Sequence, residues 1–256
     1  MSIEVVVHAN GQSLAEAVAA RTVASVVARQ SAGRLAQVCL TGGRIGTDVL
    51  RVMAESPLRE SIDWERIHIW WGDERYLAAG DPDRNETQAR AALLDLVPIP
   101  ADNVHPILGP GDTADAEESA DAYAMELAAA ARAEEHAPVP SFDVLLLSIG
   151  PDGHIASLFP EYPALSDDRP VVSVHGSPKP PPTRVTLTFD AINAAREVWI
   201  LAAGAEKAEA VRLVLVAGAG PLQVPAAGAL GRERTLWLLD EEAAQGLPEG
   251  LARPGA

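Results

Sequence analysis

Six histidines are spread along the sequence, and one of them sits where imidazole chemistry is useful. His154 closes the segment Gly150-Pro151-Asp152-Gly153-His154, which follows the apolar run 142–149. Histidine changes charge near neutral pH, so placed in a turn at a strand end it can take a proton from water. Asp152, two residues earlier, can orient the ring or support its positive charge. His68 lies inside a strand-like run and reads as structural, and His136 lies in a loop beyond a long helical stretch.

Cations form the second candidate set. Lysine and arginine total 20, and only Lys179 and Lys207 are lysines. Lys179 lies in Ser177-Pro178-Lys179-Pro180-Pro181-Pro182-Thr183-Arg184, where prolines limit the freedom of an ammonium. Lys207 ends Gly204-Ala205-Glu206-Lys207, just ahead of a helical pattern. A cation there opposes the helix dipole, a mismatch that a nearby anion relieves. Base-composition bias in the gene is the plain alternative for the scarcity of lysine.

Two more segments follow apolar runs. Thr41-Gly42-Gly43-Arg44-Ile45-Gly46-Thr47 leads into a helical pattern. Its glycines let backbone N–H groups approach a ligand oxygen, and a helix start favours an anion. An ordinary strand-to-helix turn has the same look. Gly72-Asp73-Glu74-Arg75 follows Trp70-Trp71. Arg75 suits a bidentate grip on phosphate, and Asp73 or Glu74 suits orienting a donor or a sugar hydroxyl. A surface turn with local ion pairs is the alternative. Cys39 has no partner cysteine, and no His-Glu-x-x-His spacing occurs, so neither metal nor cofactor is expected. Ser148 and Ser157 flank the histidine turn outside any G-x-S-x-G elbow.

The positioning elements follow from the hydrophobic pattern. Strand-like runs fall at 3–8, 37–41, 67–71, 142–149, 171–174, 184–189, 198–201 and 236–239. Helical patterns fall at 12–30, 45–53, 84–96, 113–135 and 205–216, the fourth expected to be largely exposed. This alternation predicts an α/β single domain with a mostly parallel, Rossmann-like doubly wound sheet flanked by helices. Residues 1–245 are expected to form that domain, and 246–256 a loosely ordered tail. Ligands of such sheets bind beyond the carboxyl ends of the strands, where all four segments lie.

The chain has 256 residues, 48% of them hydrophobic and 22% charged, which excludes wholesale disorder and collagen-like sequence. A lone cysteine excludes an internal disulfide. No apolar run reaches 18 residues, and the start lacks the pattern of a signal peptide. A cytoplasmic protein is expected. Its net charge of −16 argues against nucleic acid and membrane as partners.

At these residues the sequence resembles the 6-phosphogluconolactonase family. The resemblance runs over nearly the whole chain through TGG (41–43), WGDER (71–75), DPDRNETQAR (81–90), GPDGHIASLFP (150–160), SPKPPPTRVTLT (177–188) and GAEKAEAV (204–211). Arg44 to Thr47 and Ser148 depart from the family's usual residues. The resemblance implies a cytosolic, metal-independent hydrolase of 6-phospho-D-glucono-1,5-lactone in the pentose phosphate pathway. It also implies a fold shared with glucosamine-6-phosphate deaminases. A monomer is expected.

On that basis His154 is the expected general base, with Asp152 behind it. Gly42 and Gly43 offer N–H groups to the developing oxyanion. Arg75, Lys179, Arg184 and Lys207 hold the 6-phosphate, and Asp73 and Asn85 meet sugar hydroxyls. Whether Asp152 or Asp73 supports His154 stays open in the sequence. One rival is a glucosamine-6-phosphate deaminase, but Ser157-Leu158-Phe159-Pro160 lacks the acidic residue of that family's matching segment. Another is a non-catalytic sugar-phosphate-binding module.

Overall fold

The computed structural model describes residues 2–131 and 138–255. His136 and the end of the helical pattern at 132–135 lie outside the described residues. The strands are β1 (Ser2–His8), β2 (Ala36–Leu40), β3 (Ile67–Trp71), β4 (Asp73–Arg75), β5 (Val144–Ser148), β6 (Val171–Val174), β7 (Arg184–Leu187), β8 (Glu197–Ala202), β9 (Arg234–Asp240) and β10 (Arg253–Pro254). The α-helices are α1 (Gly11–Ser31), α2 (Gly43–Glu55), α3 (Asn85–Ala92), α4 (Ala116–Ala130), α5 (Phe189–Asn193) and α6 (Ala208–Leu215).

Seven strands form one parallel sheet in the order β10-β1-β9-β8-β5-β2-β3, flanked by helices, as the pattern predicts. β5 lies near its middle, and Val144, Leu145, Leu146 and Leu147 are each at most 2% exposed. A strand covered on both faces must be apolar throughout, which explains the unbroken run. Each such side chain contributes roughly 1.5–3 kcal/mol on burial.

The register aligns the carboxyl ends. Leu40 sits opposite Trp71, and Ser148 opposite Leu201. The turns after β2, β3, β5 and β8 therefore emerge on one edge. Those turns hold Gly42, Asp73, His154 and Lys207.

Three differences from the sequence pattern bear on the site. First, residues 171–174 and 184–187 do not join the main sheet. With Asp73–Arg75 they form a separate antiparallel sheet, β4-β7-β6. β4 turns off β3 at Gly72, so the charged run Asp73-Glu74-Arg75 is a strand and not a solvated turn. Second, α4 is not largely exposed. It packs on β6 and β7, burying Ala120, Tyr123 and Leu127. The Tyr123 hydroxyl accepts from Trp71 N (2.9 Å) and donates to Trp71 O (3.1 Å), fixing the end of β3 just before the site. Third, the tail is tied down where the sequence suggests loose order. β10 pairs with β1, and Gly255 N donates to Val7 O (2.7 Å).

Among the described residues no helix is long and apolar enough to cross a membrane.

Candidate active site

The four turns and the paired strands β4 and β7 enclose a cleft of about 260 Å3. Its walls include Gly42, Gly43, Asp73, Arg75, Asn85, His154, Lys179, Arg184 and Lys207, nine of the ten residues singled out by sequence. The tenth, Asp152, stands behind His154.

The histidine turn is built from backbone bonds. Gly150 N donates to His154 O (2.8 Å) and Gly153 N to Gly150 O (2.9 Å). Gly153 has φ +81°, a conformation glycine adopts without strain. Gly150 must lack a side chain, because a Cβ there would overlap both the imidazole of His154 and the Asp152 carboxylate. The result is a close pair: His154 Nδ1 lies 2.5 Å from Asp152 Oδ1. Nε2 is left for the cleft, and the ring packs against Phe159 with centroids 4.7 Å apart.

Partial burial pushes the Asp152 carboxyl up, but the His154 hydrogen bond and the charges of His154 and Lys179 outweigh it. The balance holds the group down at about 2. Lys179 Nζ is 3.8 Å from the same oxygen. Asp152, and not Asp73, is thus the carboxylate that touches the imidazole.

Asp73 has other partners. Ser157 Oγ donates to its Oδ2 (2.7 Å), Asn85 Nδ2 donates to its backbone O (2.8 Å), and Arg184 Nη1 lies 4.0 Å from Oδ2. Arg184 spends its remaining donors on the proline loop. Nε bonds Pro181 O (2.8 Å), and Nη2 bonds Lys179 O (3.1 Å) and Pro180 O (3.0 Å). It is a buried brace for the segment that carries Lys179, which includes a cis Pro180-Pro181 bond. Asn85 is 3% exposed, and its Oδ1 has no hydrogen-bond partner. That buried acceptor lies against Gly42, where a Cβ would collide with it.

Lys207 completes the cationic wall. Burial lowers its pKa first of all; the charges of Lys179 and Arg44 add to that, while Glu206 and Asp152 oppose it. α2 starts beside it at Gly43 with no side-chain cap, so its first-turn N–H groups are open to a ligand.

Sequence reasoning missed most of the supporting layer, and it gave Glu74 a different task. The Glu74 carboxylate does not face a ligand: it accepts from the N–H groups of Arg75 (2.8 Å), Asn85 (2.7 Å) and Glu86 (2.8 Å), capping α3 and placing Asn85. Burial pushes its carboxyl up to about 7 against those bonds and the nearby charge of Arg84. Arg84, 2% exposed, donates to Leu77 O (3.1 Å) and Ile107 O (2.6 Å). Thr41 Oγ1 accepts from Ser148 N (3.0 Å), tying the ends of β2 and β5. Dense charge in WGDER and DPDR was the available signal, but their mutual contact was not.

A larger cleft of about 450 Å3 lies at the opposite ends of the strands, around Arg29, Asp143, Arg196 and Arg234. Five of its six charged residues are ion-paired within it. Asp143 lies 2.8 Å from Arg29 and 3.0 Å from Arg196, and Glu197 lies 2.8 Å from Arg234.

Comparison with known proteins agrees with this fold. Residues 9–237 match the family model described as glucosamine-6-phosphate isomerases/6-phosphogluconolactonase. The chain belongs to this family. A Streptomyces coelicolor relative named 6-phosphogluconolactonase is 55% identical over 99% of this chain and 98% of its own length. A Mycobacterium tuberculosis relative of the same name is 46% identical over 97% of this chain and 100% of its own. The solved 6-phosphogluconolactonase of Trypanosoma brucei superposes with TM-score 0.83 at 31% identity, covering 96% of this chain and 99% of that one. The fold shared with that structure is the frame on which these residues are mounted.

Proposed function

We propose that the protein hydrolyses 6-phospho-D-glucono-1,5-lactone to 6-phospho-D-gluconate. The observation that carries the reading is the Asp152–His154 pair at 2.5 Å inside a cation-walled cleft, in a chain of net charge −16. A local positive wall in an acidic protein suits an anionic substrate.

Ionised Asp152 accepts from Nδ1–H of His154 and fixes the tautomer with Nε2 unprotonated. Nε2 takes a proton from water as the water oxygen attacks the lactone carbonyl carbon. The tetrahedral intermediate then collapses, the ring C–O bond breaks, and the proton on Nε2 passes to the departing ring oxygen. Asp152 supports the transient imidazolium. A lactone is an activated ester, so these steps call on neither metal nor covalent intermediate.

Lys179, Lys207, Arg75 and the start of α2 all line the cleft, and a phosphate is their natural occupant. The N–H groups around Gly42 and Gly43 therefore serve the phosphate in this reading, and not the carbonyl oxyanion expected from sequence. Asn85 Oδ1, buried and without a donor, takes a sugar hydroxyl, and Asp73 takes another. The reaction is read as that of a cytoplasmic monomer in the pentose phosphate pathway.

The test generates the lactone in place from glucose 6-phosphate and follows acid release above the spontaneous rate. General base catalysis is worth on the order of 10²–10⁴-fold. His154→Ala is expected to lose turnover by about that factor while keeping its thermal midpoint. Near-normal turnover in the variant would remove His154 as the base. No acceleration by the unaltered protein would overturn the reading itself.

A further inference from the structure

We infer that Arg44 is a specificity-determining residue that clasps the substrate's phosphate from outside the main cleft. The inference rests on the function proposed above and adds a cation that the reading does not include.

Arg44 is exposed in the first turn of α2. That turn holds no acidic residue, and Arg44 makes no ion pair among the described residues. A cation at a helix N-terminus faces the positive end of the dipole, which is unfavourable. Its surroundings add to the cost. Lys179 and Lys207 line the cleft, Arg44 lines the groove that adjoins it, and Lys207 feels the positive charges of both the others. Such an arrangement breaks the local rules of charge placement, and rule-breaking of this kind belongs at functional sites. A dianion between them removes the repulsion and satisfies the helix start together.

The shape of the surface says where that dianion sits. Arg44 lines a second groove with Thr47, Arg51, Gln88 and Asp83, running between α2 and α3. This groove and the catalytic cleft share two residues, Gly43 and Arg75. A phosphate resting where they meet has Lys179 and Lys207 on the cleft side and Arg44 on the groove side. Arg51 is not equivalent, because Asp48 holds its Nη1 at 2.7 Å. Arg75 is partly committed as well, since its Nη1 bonds Asp83 O. Arg44 is thus the groove cation with its whole guanidinium available, and a guanidinium grips phosphate through two parallel N–H bonds. The chemical class recognised is a phosphate monoester dianion on a polyol or its lactone.

Two measurements test this. The first compares hydrolysis of 6-phospho-D-glucono-1,5-lactone and unphosphorylated D-glucono-1,5-lactone by the unaltered protein, Arg44→Ala and Arg44→Lys. Charge-assisted hydrogen bonds of this kind are worth about tenfold or more. The ratio of kcat/KM for the phosphorylated over the unphosphorylated lactone is expected to fall about tenfold in Arg44→Ala, mainly through KM. Arg44→Lys restores part of the loss. The second is calorimetric binding of 6-phosphogluconate, which needs no turnover. Arg44→Ala is expected to weaken it about tenfold, with less sensitivity to added salt. A ratio and an affinity equal to those of the unaltered protein would overturn the inference. So would an equal loss on both lactones, which marks a merely structural effect. If the unaltered protein binds 6-phosphogluconate yet hydrolyses neither lactone, the proposed reaction fails while the role of Arg44 is still decided by the binding change.

Discussion

Asp152 and His154 form the closest side-chain pair of the candidate site. Burial raises the Asp152 carboxyl, but its bond to the imidazole and the charges of His154 and Lys179 outweigh that and hold it at about 2. Asp152→Asn keeps the shape but replaces the carboxylate that accepts from Nδ1–H of the proposed base. An amide fixes the tautomer less well and carries no charge to support the imidazolium. A loss of about 10²-fold in kcat with a near-normal KM is expected in steady-state kinetics. Near-normal kcat in the variant would show that the 2.5 Å contact does not act on the base. The residue scale was also the most legible in sequence. Histidine after a strand, glycine on either side and a carboxylate at two residues' distance need only local chain geometry. Gly150 has a stricter reason to be glycine than a turn requires, since the ring of His154 lies over its Cα.

Elements bring residues together that sequence separation hides. β2, β5 and β8 were readable because central strands leave a continuous apolar signature. β4 was not, for two physical reasons. It has three residues, all charged, and its partner β7 lies more than a hundred positions away. Charged side chains in a strand look like a solvated turn until the covering layer is known. Here that layer is α3, started by the carboxylate of Glu74. Glu74 is 1% exposed, and burial raises its carboxyl from 4.5 to about 7. A raised value in the fold means that the protonated form is favoured there. The stabilisation is complete below about pH 4.5 and is lost as pH rises through about 7. The span corresponds to roughly 3 kcal/mol at 1.36 kcal/mol per unit. Chemical denaturation between pH 5 and 8 is expected to show that fall, and Glu74→Gln is expected to flatten it whatever its absolute stability. Equal slopes in both proteins would mean that the capping bonds and Arg84 keep Glu74 ionised throughout.

At the scale of the whole molecule, stability and catalysis are set at different edges of one sheet. The cleft draws on β8, β5, β2 and β3, while β10 closes the far side on β1. The tail escaped the sequence reading because its strand has two residues and no apolar pattern, and its pairing is supplied entirely by β1. Three features hold it: the β1 ladder, the Gly255 N–Val7 O bond at 2.7 Å, and an Arg253–Glu4 ion pair. Net hydrogen bonds contribute about 0.5–1.5 kcal/mol each, so deleting residues 249–256 is expected to cost about 1–3 kcal/mol. That is small beside the roughly 5–15 kcal/mol of an ordinary fold. The truncated protein should stay folded at 25 °C with kcat and KM unchanged. The deletion also uncovers His8, which is 3% exposed beneath Gly255. Burial and then Arg21 lower the pKa of His8 from 6.5, so the fold prefers it neutral. The full chain therefore loses stability as pH falls below about 6.5, where the unfolded chain takes up a proton that the fold resists. The truncated chain is freed of that penalty. Its deficit relative to the full chain is expected to be larger at pH 8 than at pH 5 in matched denaturant titrations. A deficit that is the same at both values would show that the tail does not bury His8, and a drop in kcat would show that the two edges of the sheet are coupled.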